Sequence, residues 1–592
     1  MKKCLLFFVI IFLLDIQFGF SQTLSDYISE VKGDTLVVKD YYEMNNQENS
    51  LYYALFLDTI NVPEGRVYEL KANGYYPLLD NPVTSSHHPT VIAGTDPTIL
   101  VNNKKKSSPP LICCQVALVE SLPVFAIKGD LTVKNCELIP ANAAGTKGWS
   151  FFNTQNPGIN LLFENCLFEH TQWVFVSIEN ANCSLTFRDC YFVNMSGCPS
   201  NTSYIGGVFN STENTDSLVI ENSTFIMAEG NIFNFGSKAF NRAVVNHNTF
   251  INCAGGILSN SDFYNNLGLI SNVSLTNNIF INCNILPIDS CKTHGSGKKD
   301  LLSGIVNINK FYVDSTNSTK VKYLAQNNLA YWDPAIISCD SILNAQAVNG
   351  SNCWQPQTTV MTPETQNMFD DNNGYRYLVT DVWKNIMPHF ANSDNLFTAQ
   401  SENIKDFVLE FADSSKQSYF PLWRLLNTGN ENFVYPDFPI PVDLSYSDDD
   451  LLTVGLGGFP LGDLNWFPNK KTEWTARRAV EYDKINNALN AGELVSVVYN
   501  KNITPLEFQL NQNYPNPFNP GTIISYRLST AGAVTLKIYD ILGQEVAILL
   551  NETQNSGTHY VYFDGSALTS GVYFCRLKVN KNEVTRKMVL LK

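Results

Sequence analysis

Arginine is almost missing from the middle of this 592-residue chain: between residues 133 and 331 only Arg188 and Arg242 occur, and neither stands beside an acidic cluster in the sequence. That stretch therefore offers no array of guanidinium groups to grip an anionic substrate. Basic residues are scarce overall. The 40 Lys and Arg stand against 55 Asp and Glu, for a net charge of −15 and an isoelectric point near 5.0. Lys104, Lys105 and Lys106 form the one basic run, in loop chemistry, so no nucleic-acid partner is expected. No CxxC pair exists among the 14 cysteines, and Cys113 and Cys114 are adjacent, which argues against a tetrathiolate zinc site. Charged residues are only 16% of the chain and apolar ones 44%, a globular balance rather than a disordered or coiled-coil one.

Long apolar runs are also lacking. Residues 1–21 carry Lys2 and Lys3, an apolar run from Leu5 to Leu14, then Gly19 and Ser21, and read as a secretory signal cut before Gln22. No other segment reaches the ~20 apolar residues of a membrane span, so the mature chain is expected to have no transmembrane segment. Cys4 precedes the apolar run, which argues against a lipoprotein, and its loss leaves 13 cysteines in an oxidising compartment.

What is abundant is a repeat. VKNCELI (133–139), FENCLFE (163–169), FRDCYFV (187–193), IENSTFI (220–226), VNHNTFI (245–251), LTNNIFI (275–281) and QNNLAYW (326–332) share an apolar entry, a polar pair centred on Asn and an apolar exit. Short alternating runs such as Leu185, Phe187 and Leu218, Ile220, bounded by Asn, Asp and Gly, predict strand, tight turn, strand. A unit that cannot bury its own apolar face, repeated this often, predicts a solenoid. Its turns would recur about 4.8 Å apart. Asn135, Asn165, Asp189, Asn222, His247, Asn277 and Asn327 would then form a side-chain ladder. Cys136, Cys166 and Cys190 fall in the next column, and Cys253 and Cys283 occupy matching places in FINC (250–253) and FINC (280–283). They read as stacked buried thiols, with one or two bridges as the alternative.

This spacing resembles the right-handed parallel β-helix of the pectate-lyase-like superfamily, a likeness of fold alone. Hydrolase patterns of that fold, paired Asp followed by Gly-His-Gly and Arg-x-Lys, are missing, and His294-Gly295 is not followed by the rest. Glu164, Asp189 and Glu221 read as turn residues beside the ladder, and no catalytic residue is assigned. Two functions stay open: a non-catalytic surface or secreted binder of glycan, or a polysaccharide lyase or glycoside hydrolase with degenerate motifs. Trp149, Trp173 and Trp332 would serve sugar stacking in either case, or cover the core.

The expected organisation is all-β. GRVYEL (65–70), TVIAG (90–94) and FAIKGDLTV (125–133) suit entry coils, and the loop doublet His87, His88 lacks a third metal ligand. The β-helix is assigned to residues 22–380 and ends in MFDDNNGYRYLV (368–379). There Asp370, Asp371 and Asn373 offer oxygens to calcium, though a closing turn is the plainer reading and no cofactor is assigned. Residues 381–505 are an irregular cap or flank with one helix, roughly Glu473 to Ala491, whose Ala476, Val480, Ile485, Ala488 and Leu489 would dock, followed by a linker at about Leu494 to Leu506.

The last residues read as a small β-sandwich of about seven strands, with turn signals at LGQ, FDG, SG and NKNE. The block 506–592 resembles the type A C-terminal sorting domain of the type IX secretion system. The likeness is carried by Asn513, Pro515, Asn516, Pro517, Phe518, Asn519 and Pro520, by Tyr539, Asp540 and Gly543, by Gly571 and Tyr573, and by Lys587 and Lys592. It implies passage through the periplasm to the cell surface or medium, with the secretion machinery and a sortase-like protease as partners. The cargo would be released or attached to surface lipopolysaccharide. Triplets such as Asp34-Thr35-Leu36, Asp216-Ser217-Leu218 and Asp340-Ser341-Ile342 look like the periplasmic O-glycosylation sequon of bacteria with this system.

Overall fold

The computed structural model describes residues 22–58, 62–63, 65–95, 107–114, 124–142, 146, 148–195, 206–235, 238–256, 258–259, 272–289, 304–308, 321–348, 354–355, 358–397, 400–413, 420–423, 440–495, 508–513, 516–528, 532–554 and 557–591. The signal, Lys104 to Lys106, His294-Gly295, most of the linker, Pro515 and Lys592 lie outside these.

Each repeat is one coil of a parallel β-helix with three sheets. A 12-stranded sheet runs from Ile28–Lys32 to Leu378–Thr380, a 9-stranded sheet from Tyr75–Leu78 to Leu329–Tyr331, and a 6-stranded sheet from Phe125–Ile127 to Leu258–Ser259. Neighbours are parallel and in register coil after coil, for example Phe163 with Phe187 and Phe187 with Ile220. Only the first strand departs, pairing antiparallel with Thr35–Val38. In the earlier coils of the long sheet alternate residues are buried (Cys183, Leu185, Phe187), the pattern of a half-exposed face, whereas Phe240–Asn246, Asn272–Thr276 and Lys322–Gln326 end in continuously buried runs. The nine-stranded sheet shows no such alternation. Its strands Tyr191–Met195, Thr224–Ala228 and Thr249–Cys253 are buried at every position, because the flank covers their outer side. Inside, Phe168, Phe192, Phe225, Phe250 and Phe280 stack along the axis with ring centroids 4.5–5.0 Å apart and planes within 10°.

FAIKGDLTV is two strands in different sheets, Phe125–Ile127 and Leu131–Lys134, and the corner between them takes Gly129, where a Cβ would lie 2.2 Å from the Ser85 carbonyl. The flank is more helical than the single helix the sequence suggested. Gln400–Phe411 buries Ile404, Phe407 and Val408 at helical spacing, and Pro334–Val348 and Pro363–Asp370 precede the last long-sheet strand. The long helix begins at Pro468, where proline suits the first turn, and stops at Gly492 with φ 69°. Ile485, Ala488 and Leu489 dock as expected, whereas Ala476 is exposed and Val480 is 57% exposed, and Trp474 and Glu481 complete the buried face.

The C-terminal block is a seven-stranded antiparallel sandwich of a three-stranded and a four-stranded sheet around its own core, including Tyr526, Leu536, Ile538 and Leu577.

Candidate functional site

All seven expected ladder positions occupy the same turn, in the left-handed backbone region, with φ between 46° and 59°. Asn, Asp and His tolerate that conformation best after Gly, which explains the residue types. Side-chain bonds along this column join two pairs: Asn165 Nδ2 donates to Asn135 Oδ1 at 2.7 Å, and Asn277 Nδ2 meets His247 Nε2 at 3.2 Å. The continuous ladder lies one residue on. Asn248, Asn278 and Asn328 are fully buried: the amide oxygens of Asn278 and Asn328 each accept from the N–H and the side chain of the Asn one coil before at 3.0–3.1 Å, the Asn248 oxygen accepts from the Ser223 N–H at 3.0 Å, and the amides of Asn248 and Asn278 donate to the Ile220 and Val245 carbonyls. A second left-handed column, which the sequence reading did not single out, runs through His170, Asn194, Met227, Asn252 and Asn282 at the far end of the nine-stranded sheet. The Asn two residues after Phe250 and Phe280 in the two FINC copies was its signal.

One residue before the first column the outward side chains alternate in charge. Lys134 Nζ lies 2.7 Å from Glu164, Arg188 bridges Glu164 (3.3 Å) and Glu221 (2.9 Å), and Arg478 of the long helix closes on Glu221 at 2.7 Å, with the Tyr482 hydroxyl on the same carboxylate. Arg188 is thus flanked by acids after all, contributed by the coils on either side rather than by its sequence neighbours. Burial alone would raise the Glu164 carboxyl, but Lys134 and Arg188 outweigh it and hold it below the usual range. Asp189 is raised by burial even with Lys471 3.0 Å away. Further along, Glu481 faces His247 at 3.4 Å and accepts from Asn246; burial opposes its charge, and His247 reverses the balance. The long helix therefore straps the turn column across several coils, with each acid or base tied to a partner.

The preceding segment is pinned to the nine-stranded sheet. Asp463 accepts from Thr224 Oγ1 (2.7 Å) and from the Asn465 backbone and side chain (2.8 Å each), and its own N–H donates to Thr249 Oγ1 (3.0 Å). Complete burial pushes its carboxyl up to about 7.

Asp370 and Asp371 are committed to local structure: Gln366 donates to the first, and the N–H groups of Asn373 and Gly374 to the second. Among the described residues no group of three or more His, Cys, Asp or Glu is placed to hold a metal ion. The ten described cysteines from Cys113 to Cys575 are free and buried, and Cys166 and Cys190 donate to strand carbonyls one coil away. His87 and His88 stay in an exposed loop. Trp332 is a core residue, its indole N–H on the Cys283 carbonyl. Trp149 and Trp173 sit on successive coils at one corner, where Val174 donates to the Trp149 carbonyl, and Trp149 is 47% exposed.

In the sandwich, the first motif and the last strand are clipped together. Gln512 donates to the Lys587 carbonyl, Asn516 Oδ1 accepts from Val589 N–H at 2.8 Å, and Phe518 exchanges backbone bonds with Val589 and Leu591. Phe518 is buried, Asn513 bonds Thr522, Tyr573 caps the Thr569 carbonyl at 2.7 Å beside Gly571, and Asp540 with Gly543 forms the tip of a hairpin; Asn519, Pro520 and Lys587 are exposed. Arg576 stacks over Tyr539. Residues 512–591 match the family of secretion system C-terminal sorting domains. The chain is exported, to the cell surface or the medium. The sorting domain makes the type IX secretion machinery its partner. Neither the curated proteins nor the solved structures offer a match to the chain. Among the described residues no helix is long and apolar enough to cross a membrane.

Proposed function

We propose that the exported β-helix is a non-catalytic, glycan-binding surface or secreted protein. The observation that carries this reading is the state of the charged column. Glu164, Arg188, Glu221 and Asp189 gather acids and a base on one flank of the coils, and they are spent on one another and on Lys471, Arg478 and Tyr482 of the strap. General acid–base work needs a group with a free proton path to substrate. The half-exposed Trp149, with Trp173 one coil away, supports a sugar-stacking corner. On this reading the sorting domain is removed by a sortase-like protease in the linker near residues 494–506, and the cargo is released or joined to lipopolysaccharide.

The test is to incubate the secreted protein with a plant and algal polysaccharide panel, following unsaturated-uronate absorbance, reducing ends and retardation in polysaccharide-containing gels. Retardation without product is expected, weakened several-fold in Trp149→Ala. Steady product formation from any member would establish the lyase or hydrolase alternative instead.

A further inference from the structure

The sorting domain presents an apolar tip beside a basic sheet face. Ile541 and Leu542 are 70% and 86% exposed at the hairpin joining strands Gly532–Tyr539 and Glu545–Gln554. They are not a frayed loop. Asp540 Oδ1 accepts from the N–H groups of Leu542 (2.8 Å) and Gln544 (2.9 Å), the Gly543 N–H returns to the Asp540 carbonyl (3.1 Å), and Gly543 supplies the φ of 80° that the reversal requires. Two large aliphatic side chains are thus held out into solvent by a fixed turn, at a cost that the domain's own core does not recover.

The outer face of the adjoining four-stranded sheet follows from its register. Lys537 pairs with Ile548 on one side and Arg576 on the other, Thr535 pairs with Lys578, and Phe574 pairs with Tyr539 and Lys587. Directly opposed residues share a face, so Lys537, Arg576, Lys578 and Lys587 gather on the outer side with Tyr539, Phe574 and the 55% exposed Ile548. A shallow groove there is lined by Thr535, Lys537, Tyr539, Arg576, Lys578 and Glu583. Glu545 and Glu583 pair with Lys537 (2.9 Å) and Arg576 (3.4 Å), whereas Lys578 and Lys587 make no ion pair among the described residues. Between residues 508 and 591 seven Lys and Arg stand against five Asp and Glu, in a chain whose net charge is −15.

We propose that this tip and face dock the sorting domain on an anionic lipid bilayer surface, with Ile541 and Leu542 entering the interface and the basic row lying on headgroup phosphates. A protein partner would be served by either feature alone. Aliphatic tip, interfacial aromatics and flanking cations on one edge are together the requirements of peripheral bilayer binding, in which apolar burial and headgroup attraction add. The export route places the domain beside a membrane, and docking there would confine its search for the secretion machinery to two dimensions.

The experiment is co-sedimentation of the full chain with phosphatidylcholine vesicles, alone or mixed with phosphatidylglycerol. Retention should rise about tenfold with phosphatidylglycerol and fall as salt is raised to about 0.5 M. Leu542→Asp should lower it about tenfold, and Lys578→Glu several-fold. Both side chains are exposed, so the fold should survive, and unchanged far-ultraviolet dichroism checks it. Val382→Asp, at a 72% exposed valine of the flank, should leave retention unchanged. Equal retention on both vesicles, an unaffected Leu542→Asp, or an equal loss in Val382→Asp would overturn the proposal. So would lipid-free binding to detergent-solubilised export machinery that depends on the same residues.

Discussion

At the scale of single residues, the turn column asks for left-handed backbone and the buried ladder asks for amides. These demands separate by substitution. Asn222 has φ 46° and a side-chain oxygen with no partner, so Asn222→Gly should be nearly neutral, whereas Asn222→Val should cost about 2 kcal/mol in urea unfolding. At the next coil the left-handed residue is Asn277, with φ 59°, and the buried ladder member is Asn278; Asn278→Leu strands the Asn248 N–H and the Val245 carbonyl and should cost about 3 kcal/mol. Asp463 gives a pH dependence. Its carboxyl stands at about 7 in the folded protein, above its ordinary 3.8, so its contribution is full below about pH 4 and is lost as pH rises through 7. Asp463→Asn, which imitates the neutral acid, should flatten the fall in thermal stability between about pH 4 and 7; a slope equal to that of the unmodified chain would remove this account. The Asn positions were legible because left-handed turns admit few residue types. Asp463 was not, because only the folded sheet brings Thr224 and Thr249 to it.

At the scale of elements, the strap is held by charge as much as by apolar contact. Glu221 is wholly buried between Arg188, Arg478 and Tyr482, so Glu221→Ala should destabilise the protein by about 3 kcal/mol and raise amide exchange through Pro468–Ala491 more than through the coils. The helix itself was readable from its period and from Gly492. Its buried face was misjudged at Val480 because an apolar pattern cannot register that Glu481 would turn inward to His247. The charged column was present in the sequence as Lys, Glu, Arg, Glu at matched repeat positions 134, 164, 188 and 221. Glu164 and Glu221 read as turn residues, and their pairing with Arg188 was not legible because they lie 24 and 33 residues from it in the chain.

At the scale of the molecule, solenoid and sorting domain have separate apolar cores. Calorimetry should show two transitions, and removal of residues 506–592 should abolish the one belonging to the sandwich while leaving the other within about 2 °C. The repeat made the β-helix legible because one coil's rule is stated seven times. The flank obeys no repeat, so its route over the nine-stranded sheet had to be seen.

That route sets an order of assembly. Thr224 waits for Asp463, and Asn246 for Glu481, partners 239 and 235 residues downstream. A chain crossing a membrane from its amino terminus can wind its coils as they emerge, yet one wall of the solenoid stays bare until nearly five hundred residues have passed. Since the sandwich lies downstream of the flank, a finished export tag announces a cargo whose covering segment has already emerged and can close that wall.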